Sequence, residues 1–282
     1  MKRLKKYILI TGCSSGIGLE TAKILMKNNW YVFASCRKKE DLPYLKKIGL
    51  DSIHLDYSDE NSMDSAIRYI LKKTDGHLDA LFNNGAYALP GALEDIPTDG
   101  LREIFEVNVF GWHTLIRKII PTMRKQGYGR IIQCSSILGF INLAYRGPYN
   151  STKWALESLT DTLRIELSKT NIKVISIRPG PIKTKIKQNS IAHFFKWVDW
   201  RTSSISAIYE SRLIPRLKDD NSSVNFELKP EHVAFKVLEA LETKTPRLIY
   251  NITLPTKFMS IVVRILPKSL LHKLLIYFSD PI

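Results

Sequence analysis

Short apolar runs alternate with longer segments of helical periodicity along most of this chain. Seven apolar runs predict β-strands, at residues 7–10, 30–35, 52–56, 78–82, 129–136, 173–178 and 247–250. Apolar residues spaced three or four positions apart predict helices at residues 18–28, 58–73, 98–124, 149–167 and 230–242. Strands that alternate with helices build a parallel sheet, so the pattern predicts an α/β fold. No linker interrupts the alternation, which predicts a single domain over residues 1–282.

Two segments depart from this alternation. Residues 185–228 mix aromatic and basic side chains without strand periodicity, and we interpret them as a helical insertion that covers a pocket as a substrate lid. An ordinary pair of amphipathic helices packed on the domain is the alternative. Residues 254–282 form an apolar and basic extension, broken by Pro267. It fits either core and oligomer surface, or a basic amphipathic segment that lies on a membrane.

A glycine-rich turn directly follows the first predicted strand and precedes a helix. Residues 11–18 read Thr-Gly-Cys-Ser-Ser-Gly-Ile-Gly, and the glycine spacing is G-x-x-x-G-x-G. In a strand–turn–helix context, such glycines let backbone N–H groups approach a pyrophosphate at the helix N-terminus. We therefore expect a dinucleotide to bind at the turn, which contributes Gly12, Ser14, Ser15, Gly16, Ile17 and Gly18.

The residues beyond the second and third strands bear on the choice of dinucleotide. Dinucleotide sites that prefer NAD carry an acidic residue after the second strand, whereas an arginine suits a 2′-phosphate. Here Arg37 occupies that region and no acid stands at the strand end, which favours NADP(H), with NAD(H) as the alternative. Asp56 ends the third predicted strand, where it could contact an adenine ring or cap the following helix.

Charge and cysteine content narrow the class of protein. The chain has 282 residues and a net charge of +15, which indicates an anionic companion such as a phosphorylated cofactor or a membrane surface. The basic residues are dispersed and no nucleic-acid motif occurs, so nucleic acid is the least favoured anionic partner. Three cysteines cannot form a disulfide framework, which favours a reducing, cytoplasmic location. The six histidines show no ligand spacing, so we expect no metal site.

Candidate catalytic groups follow the later strands. Tyr149 and Lys153 are four residues apart on a predicted helix and therefore share one face. An ammonium beside a phenol is expected to lower the phenol pKa and make it a general acid/base. The strand before this helix ends in hydroxyl groups, including that of Ser136, and the apolar stretch at residues 137–145 suits a pocket wall. Asn108 lies among apolar neighbours, as either a structural group or part of a site.

Together these motifs resemble the short-chain dehydrogenase/reductase family over residues 5–250. The resemblance rests on the glycine turn, on Asn83-Asn84-Gly85-Ala86, and on Asn108, Ser136, Tyr149, Lys153 and Pro179-Gly180. It implies a Rossmann-type, doubly wound sheet of seven mainly parallel strands with helices on both faces. The chain departs from the family at Gly85-Ala86, where Ala-Gly is common, and we expect only backbone detail to change.

The resemblance also implies roles for individual residues. Ser136 and Tyr149 would contact the substrate oxygen together with Leu138 of the pocket wall. Lys153 would lower the Tyr149 pKa, and Asn108 would hold a water that links Lys153 to solvent. The implied cofactor contacts are the glycine turn, Arg37, Asp56, Asn83, Gly85, Tyr149, Lys153, Pro179, Gly180, Ile182 and Thr184.

The chain looks most similar to the hydroxysteroid and retinol dehydrogenase-like branch of that family. This similarity implies an NADP(H)-dependent oxidoreductase that acts on an apolar alcohol or carbonyl compound, such as a steroid, retinoid or lipid. It also implies a homodimer or homotetramer. A non-catalytic dinucleotide-binding module, acting as a sensor or scaffold, is the competing hypothesis.

Overall fold

One parallel sheet of seven strands organises the molecule. The computed structural model describes residues 5–219 and 225–279. The strands are β1 Lys6–Ile10, β2 Trp30–Cys36, β3 Asp51–His54, β4 Ala80–Asn83, β5 Gly129–Cys134, β6 Ile172–Arg178 and β7 Ile249–Asn251. Their order across the sheet is β3-β2-β1-β4-β5-β6-β7, and every pairing is parallel within the described residues. The predicted doubly wound α/β fold is confirmed.

Helices cover the sheet and complete the core. They are α1 Gly16–Lys27, α2 Leu42–Lys47, α3 Glu60–Lys73, α4 Thr98–Phe105, α5 Gly111–Gln126, α6 Gly147–Glu166, α7 Ile186–Trp197, α8 Ser206–Ile208, α9 Ile214–Lys218, α10 Pro230–Glu242, α11 Leu254–Ile265 and α12 Lys268–Ser279. Helix α1 packs against α10, and α3 packs against α5. The last three residues of β1, Ile8 to Ile10, are fully buried, as expected of a strand covered on both faces.

The strand order places a cleft above the middle of the sheet. The chain leaves β1 toward β2 and β3 on one side, and later continues from β4 on the other side. In open α/β sheets, ligands bind in the crevice beyond the carboxyl ends of strands at such a reversal. The glycine turn follows β1 and the Asn83-Asn84 pair follows β4, so both border this cleft.

Two predicted elements are divided in the structure. The helix expected over residues 98–124 is interrupted by a π-helical turn, Glu106–Phe110, between α4 and α5. This turn contains Asn108, and such bulges often occur at functional sites. The apolar stretch after residue 254 forms two helices, α11 and α12, because Pro267 cannot continue the first one.

The segment interpreted as a lid builds a small apolar core of its own. Phe194 and Val198 pack with Tyr209, Leu213 and Leu217, away from the main core. The Tyr209 hydroxyl accepts a hydrogen bond from the Ala92 N–H and donates to Asp95, which fastens the segment to the loop after β4. Residues 220–224 of the predicted lid lie outside the described residues, as do residues 280–282 of the predicted extension. The lid function remains a prediction.

Candidate active site

The glycine turn brings the ends of β1 and β4 into direct backbone contact. Gly12 has a φ of +69°, and a Cβ atom there would lie 2.7 Å from Gly85 Cα. At Gly18 a Cβ atom would lie 2.3 Å from the Gly12 oxygen. Only glycine fits these two positions, so the backbone forms a narrow cradle that side chains would fill. This cradle suits a pyrophosphate, as the spacing predicts.

The altered order Gly85-Ala86 has a packing reason. A Cβ atom at position 85 would lie 3.3 Å from both the Gly12 nitrogen and the Tyr57 ring. Such contacts are tight, so glycine at position 85 keeps the turn and the Tyr57 ring close. The Trp112 indole N–H donates to the Gly85 oxygen at 2.8 Å, which further fixes this backbone. The departure therefore changes local packing and leaves the cradle intact.

The Asn83 side chain takes part in a buried network and faces protein groups. Its amide donates to Gln133 Oε1 at 2.9 Å, and its oxygen accepts from the Tyr57 hydroxyl at 2.8 Å. The same hydroxyl lies 2.7 Å from Thr11 Oγ1. Thr11 Oγ1 in turn accepts from the backbone N–H of Asn84 at 2.8 Å. The contact of Asn83 with the cofactor remains a prediction, and its backbone is the group left for it, because its side chain is bonded to Gln133 and Tyr57.

Ser136 and Tyr149 lie close together, as the family resemblance implies. The Ser136 hydroxyl is near enough to the Tyr149 phenol to lower its pKa, and Ser136 Oγ accepts from the Leu138 N–H at 3.1 Å. Leu138 belongs to an apolar cluster that also contacts the Tyr149 ring. A hydroxyl pair beside an apolar wall can hold a carbonyl or carbinol oxygen while the remainder of the substrate stays in apolar surroundings.

Lys153 is completely enclosed beneath Tyr149. Its ammonium donates to the Cys134 oxygen at 2.8 Å and lies 4.5 Å from the centre of the Trp112 ring. Burial lowers the pKa of Lys153 from 10.5 to about 8, although Cys134 and Glu157 partly oppose this shift. The acid nearest along the helix, Glu157, is engaged by Arg178 through a hydrogen bond of 2.6 Å. Lys153 is therefore a buried cation with aromatic and carbonyl neighbours.

The expected lowering of the Tyr149 pKa is not found. Burial and the neighbouring Cys134 thiol raise the pKa of Tyr149 well above 10, whereas the hydrogen bond with Ser136 lowers it. The Lys153 ammonium lies 5.5 Å from the Tyr149 ring centre and bonds to the Cys134 oxygen instead of the phenol. Loss of solvent therefore dominates the pKa of Tyr149, and the phenol is protonated at neutral pH.

Asn108 connects the loop after β4 to the helix that carries Tyr149. Its oxygen accepts from the Tyr87 N–H at 3.1 Å, and its amide donates to the Tyr87 oxygen at 2.8 Å. The same amide reaches Thr152 Oγ1 at 3.4 Å. These contacts favour the structural interpretation of this asparagine. The water-holding role implied by the family resemblance remains a prediction.

Replacing Asn108 by alanine should destabilise the protein by about 2–4 kcal/mol, because both backbone groups of Tyr87 would lose their buried partner. Urea denaturation measures this loss, with Asn171→Ala as a control at an exposed asparagine. An Asn108→Ala protein that is as stable as the parent but slow in turnover would contradict the structural role. It would then favour a direct part in proton transfer.

The structure locates the two groups expected near the adenosine end of a dinucleotide. Arg37 is exposed directly beyond the end of β2, and its charge acts on both Tyr87 and His193. Asp56 lies two residues past the end of β3, and its carboxylate accepts hydrogen bonds from the Ser58 N–H and hydroxyl. Asp56 does not cap the next helix, since Asp59 does so. Contact of Asp56 with an adenine ring remains a prediction.

Residues 179–184 join the glycine turn to the C-terminal helices. The Ile137 N–H donates to the Pro179 oxygen at 2.7 Å. A Cβ atom at Gly180 would lie 2.2 Å from Thr253 Oγ1, so Gly180 packs against the N-terminus of α11. A Cβ atom at Gly16 would lie 3.2 Å from the Thr184 methyl group. Of the predicted cofactor contacts in this loop, Thr184 therefore reaches the glycine turn, whereas Gly180 faces α11 and Ile182 packs against the main core.

Helix α7 is held to the rest of the molecule by an aromatic and charged cluster. The His193 ring stacks on Tyr87 with 3.8 Å between ring centres. Glu103 of α4 forms an ion pair with Lys196, and its carboxylate lies 3.8 Å from His193 Nδ1. Burial lowers the pKa of His193, and Arg37 and Lys196 add to this, although Glu103 opposes it. Tyr87 and α7 thus border the same cleft.

Several residues that contact the predicted site residues were not indicated by the sequence patterns. Trp112 under Lys153, Tyr57 beside Asn83 and Thr152 beside Asn108 all contact predicted site residues. Trp112 follows Asn108 by four positions, which places both on one helical face, and this spacing was the available signal.

No group of three or more metal-ligating side chains occurs among residues 5–219 and 225–279. Over these residues, no helix has the length and apolar character needed to cross a bilayer.

Comparison with known proteins identifies the family. A model described as short chain dehydrogenase matches residues 6–193 of this chain. The Escherichia coli oxidoreductase YbbO is 34% identical over 274 residues, which cover 97% of this chain and 95% of YbbO. This chain belongs to the short-chain dehydrogenase family. The NADPH-dependent 3-dehydrocapnine reductase of Ornithobacterium rhinotracheale is 32% identical, covering 98% of this chain and 97% of that enzyme.

Two further members extend the comparison. Human retinol dehydrogenase 8 is 31% identical over 198 residues, which cover 68% of this chain and 64% of that enzyme. A solved short-chain dehydrogenase from Streptomyces avermitilis has a TM-score of 0.77 at 26% identity, covering 93% of this chain and 94% of that one. The expected family, with its retinol dehydrogenase-like relatives, is confirmed. As an oxidoreductase of this family, the chain acts on alcohol and carbonyl groups, and the non-catalytic alternative is not favoured.

Proposed function

We propose that this chain is an NADP(H)-dependent reductase of apolar carbonyl compounds that works through Ser136, Tyr149 and Lys153. The neighbouring pair Ser136–Tyr149 carries the proposal, because the Tyr149 ring lies 5.5 Å from the buried Lys153 ammonium and packs beside an apolar wall. Relatives and solved members of the family that bind NADP or depend on NADPH support the cofactor assignment.

The residues of the cleft fit a phosphorylated dinucleotide. The cradle of Gly12 and Gly18 accommodates backbone approach to a pyrophosphate, and Arg37 stands where a 2′-phosphate would require a cation. The two residues at the end of β2, Cys36 and Arg37, carry no carboxylate that would take the place of a 2′-phosphate. NADPH would supply the hydride, and the chain's own groups would supply proton transfer and positioning.

The protonated state of Tyr149 indicates which group donates a proton to the substrate. Burial keeps the phenol protonated, so Tyr149 is prepared to donate its proton to a carbonyl oxygen that becomes an alcohol. The Ser136 hydroxyl would donate a second hydrogen bond to that oxygen and hold it in place. Lys153, with a pKa of about 8, carries a positive charge at neutral pH that stabilises the phenolate left behind.

An apolar substrate fits the surroundings of Tyr149. Leu138 and Ile141 are buried in a cluster with Met259 and Leu275, and Phe140 packs against it. Such a wall would bind hydrocarbon surface and exclude water from the reacting oxygen. We therefore favour a steroid-, retinoid- or lipid-like carbonyl compound over a sugar or a small polar acid.

Arg37→Ala should weaken NADPH binding about 10- to 100-fold, because it removes a charge-assisted hydrogen bond to the 2′-phosphate. NADH binding should stay unchanged. Titrating the tryptophan fluorescence of the purified protein with each cofactor measures both affinities. Lys39→Ala is the matched control, since Lys39 is also exposed after β2. Equal loss of affinity for both cofactors would contradict the 2′-phosphate assignment.

We also propose that the protein forms a homodimer and works in a reducing compartment such as the cytoplasm. The π-helical turn and α6 expose Phe110 and Trp154 at 51% and 45%, which suits a contact between copies through the α5–α6 region. All three cysteines are free and buried. Light scattering of the parent protein and of Trp154→Gln tests the dimer, which should dissociate in the variant.

A further inference from the structure

The last two helices form the outer cover of the substrate wall. Met259 of α11 and Leu275 of α12 are buried against Leu138 and Ile141, and the Tyr149 ring packs at the same cluster. The N-terminus of α11 is fixed at Gly180, and the Ser279 hydroxyl at the end of α12 accepts from the Ala144 N–H at 3.0 Å. The inner face of this helix pair therefore borders the site of reaction.

The outer face of the same pair is also apolar. On α11, Leu254, Phe258, Ile261 and Ile265 follow one another at spacings of four, three and four, which places them on a single stripe. Their exposures are 64%, 59%, 58% and 72%. Helix α12 exposes further apolar residues, namely Leu270, Ile276, Tyr277 and Phe278. Continuous exposed apolar surface of this kind marks an interaction site.

The charges around the stripe indicate which kind of surface it binds. Residues 252–279 contain Lys257, Arg264, Lys268 and Lys273 and no aspartate or glutamate. Lys257 and Arg264 directly precede Phe258 and Ile265, so the cations border the stripe. If this face packed on the same face of a second copy, the cations would face one another, and residues 252–279 of that copy would offer no acidic partner. Anionic lipid headgroups satisfy the cations while acyl chains cover the stripe.

We propose that the outer face of α11 and α12 docks on an anionic bilayer, and that the apolar substrate passes from the bilayer to Tyr149 along the inner face. The docking surface comprises the stripe, the exposed residues of α12 and the four cations. Each helix has 12 residues, about 18 Å of length, which is too short to span a bilayer but suits a position in the headgroup plane. The delivery step rests on the proposed reductase function, whereas docking does not.

Sedimentation of the full chain with vesicles tests docking. The protein should bind vesicles of phosphatidylcholine and phosphatidylglycerol at least about tenfold more tightly than phosphatidylcholine alone, and salt should weaken this binding. Phe258→Gln with Ile265→Gln should abolish binding to both kinds of vesicle. Lys257→Gln with Arg264→Gln should remove the preference for phosphatidylglycerol. Absence of binding to anionic vesicles at low salt overturns the proposal.

Two residues outside the docking surface make a matched control. Phe235 of α10 and Ile165 of α6 are exposed at 58% and 73%, close to the values for Phe258 and Ile265. Phe235→Gln with Ile165→Gln should leave vesicle binding unchanged, and equal loss in the control overturns the assignment of the surface. If the Phe258/Ile265 variant dissociates an oligomer in the absence of vesicles, the stripe is a contact between copies and the membrane proposal is wrong.

Substrate delivery is tested separately from docking, by steady-state kinetics. In the Phe258/Ile265 variant, the KM for a long-chain ketone presented in vesicles should rise at least about tenfold, because access depends on docking. The kcat, and the KM for a short water-miscible ketone, should not change. An unchanged KM for the vesicle-borne ketone overturns delivery. Failure of the parent protein to reduce either ketone contradicts the reductase function alone, because sedimentation requires no turnover.

Discussion

Replacing Tyr149 by phenylalanine should lower kcat for carbonyl reduction about 10²- to 10⁴-fold, because the variant lacks the hydroxyl that we propose as the proton donor to the substrate oxygen. The ring remains, so its packing against the cluster of Leu138 and Ile141 should persist. Affinity for NADPH should therefore stay close to that of the parent protein. Steady-state kinetics and a fluorescence titration measure the two quantities on one preparation.

Tyr44→Phe is the matched control for this substitution. Tyr44 lies on α2, is exposed at 47% and belongs neither to the predicted pocket wall nor to the lid segment. Its variant should retain the turnover of the parent. A Tyr149→Phe protein that retains most of its activity would falsify the proposed proton donor. Loss of NADPH affinity in the same variant would instead show that the phenylalanine disturbs the cleft.

The sheet and the placement of most candidate catalytic residues were predictable, because each rests on local spacing. The seven apolar runs predict the strands, and the observed bounds differ by a few residues, as for β3 at Asp51–His54. The four-residue spacing of Tyr149 and Lys153 places both on one face of α6, where the structure has them. The contact between Ser136 and Tyr149 was expected from the family pattern.

Long-range contacts explain what the sequence could not reveal. The Tyr149 pKa depends on how completely the surrounding elements remove solvent, and no local pattern reports this. The occupation of Asn83 by Gln133 and Tyr57 joins residues 50 and 26 positions apart. The closure of the substrate wall by α11 and α12 depends on the contact of Gly180 with Thr253, which follows it by 73 positions. These features are properties of the assembled fold.

Lys153 shows how the requirements of catalysis and stability conflict at this site. A cation buried without an acidic partner costs free energy, and here the acid one turn away, Glu157, is paired with Arg178. The Trp112 ring and the Cys134 oxygen compensate only in part, since the Lys153 pKa still falls to about 8. The charge that we propose to stabilise the Tyr149 phenolate therefore destabilises the folded chain.

Lys153→Met should abolish turnover and yet stabilise the fold by about 2 kcal/mol at neutral pH. The pKa shift from 10.5 to about 8 corresponds to about 3 kcal/mol, and loss of the hydrogen bond to the Cys134 oxygen offsets about 1 kcal/mol of this. Below pH 8 the lysine is protonated in both states, so the whole penalty is present. As pH rises from 8 towards 10.5, the unfolded chain binds more protons than the folded one, and the parent gains stability.

The free energy by which Lys153→Met is more stable than the parent should therefore shrink between pH 8 and 10.5. Urea denaturation of both proteins at successive pH values measures this difference. Lys169→Met is the control, because Lys169 is exposed near the end of α6. Its replacement should change the free energy of unfolding only slightly, and by the same amount at every pH. An advantage that stays constant from pH 7 to 10 would mean that Lys153 titrates at its ordinary pKa. Burial of the ammonium would then carry no linked cost in stability, and the conflict between catalysis and stability at Lys153 would be absent.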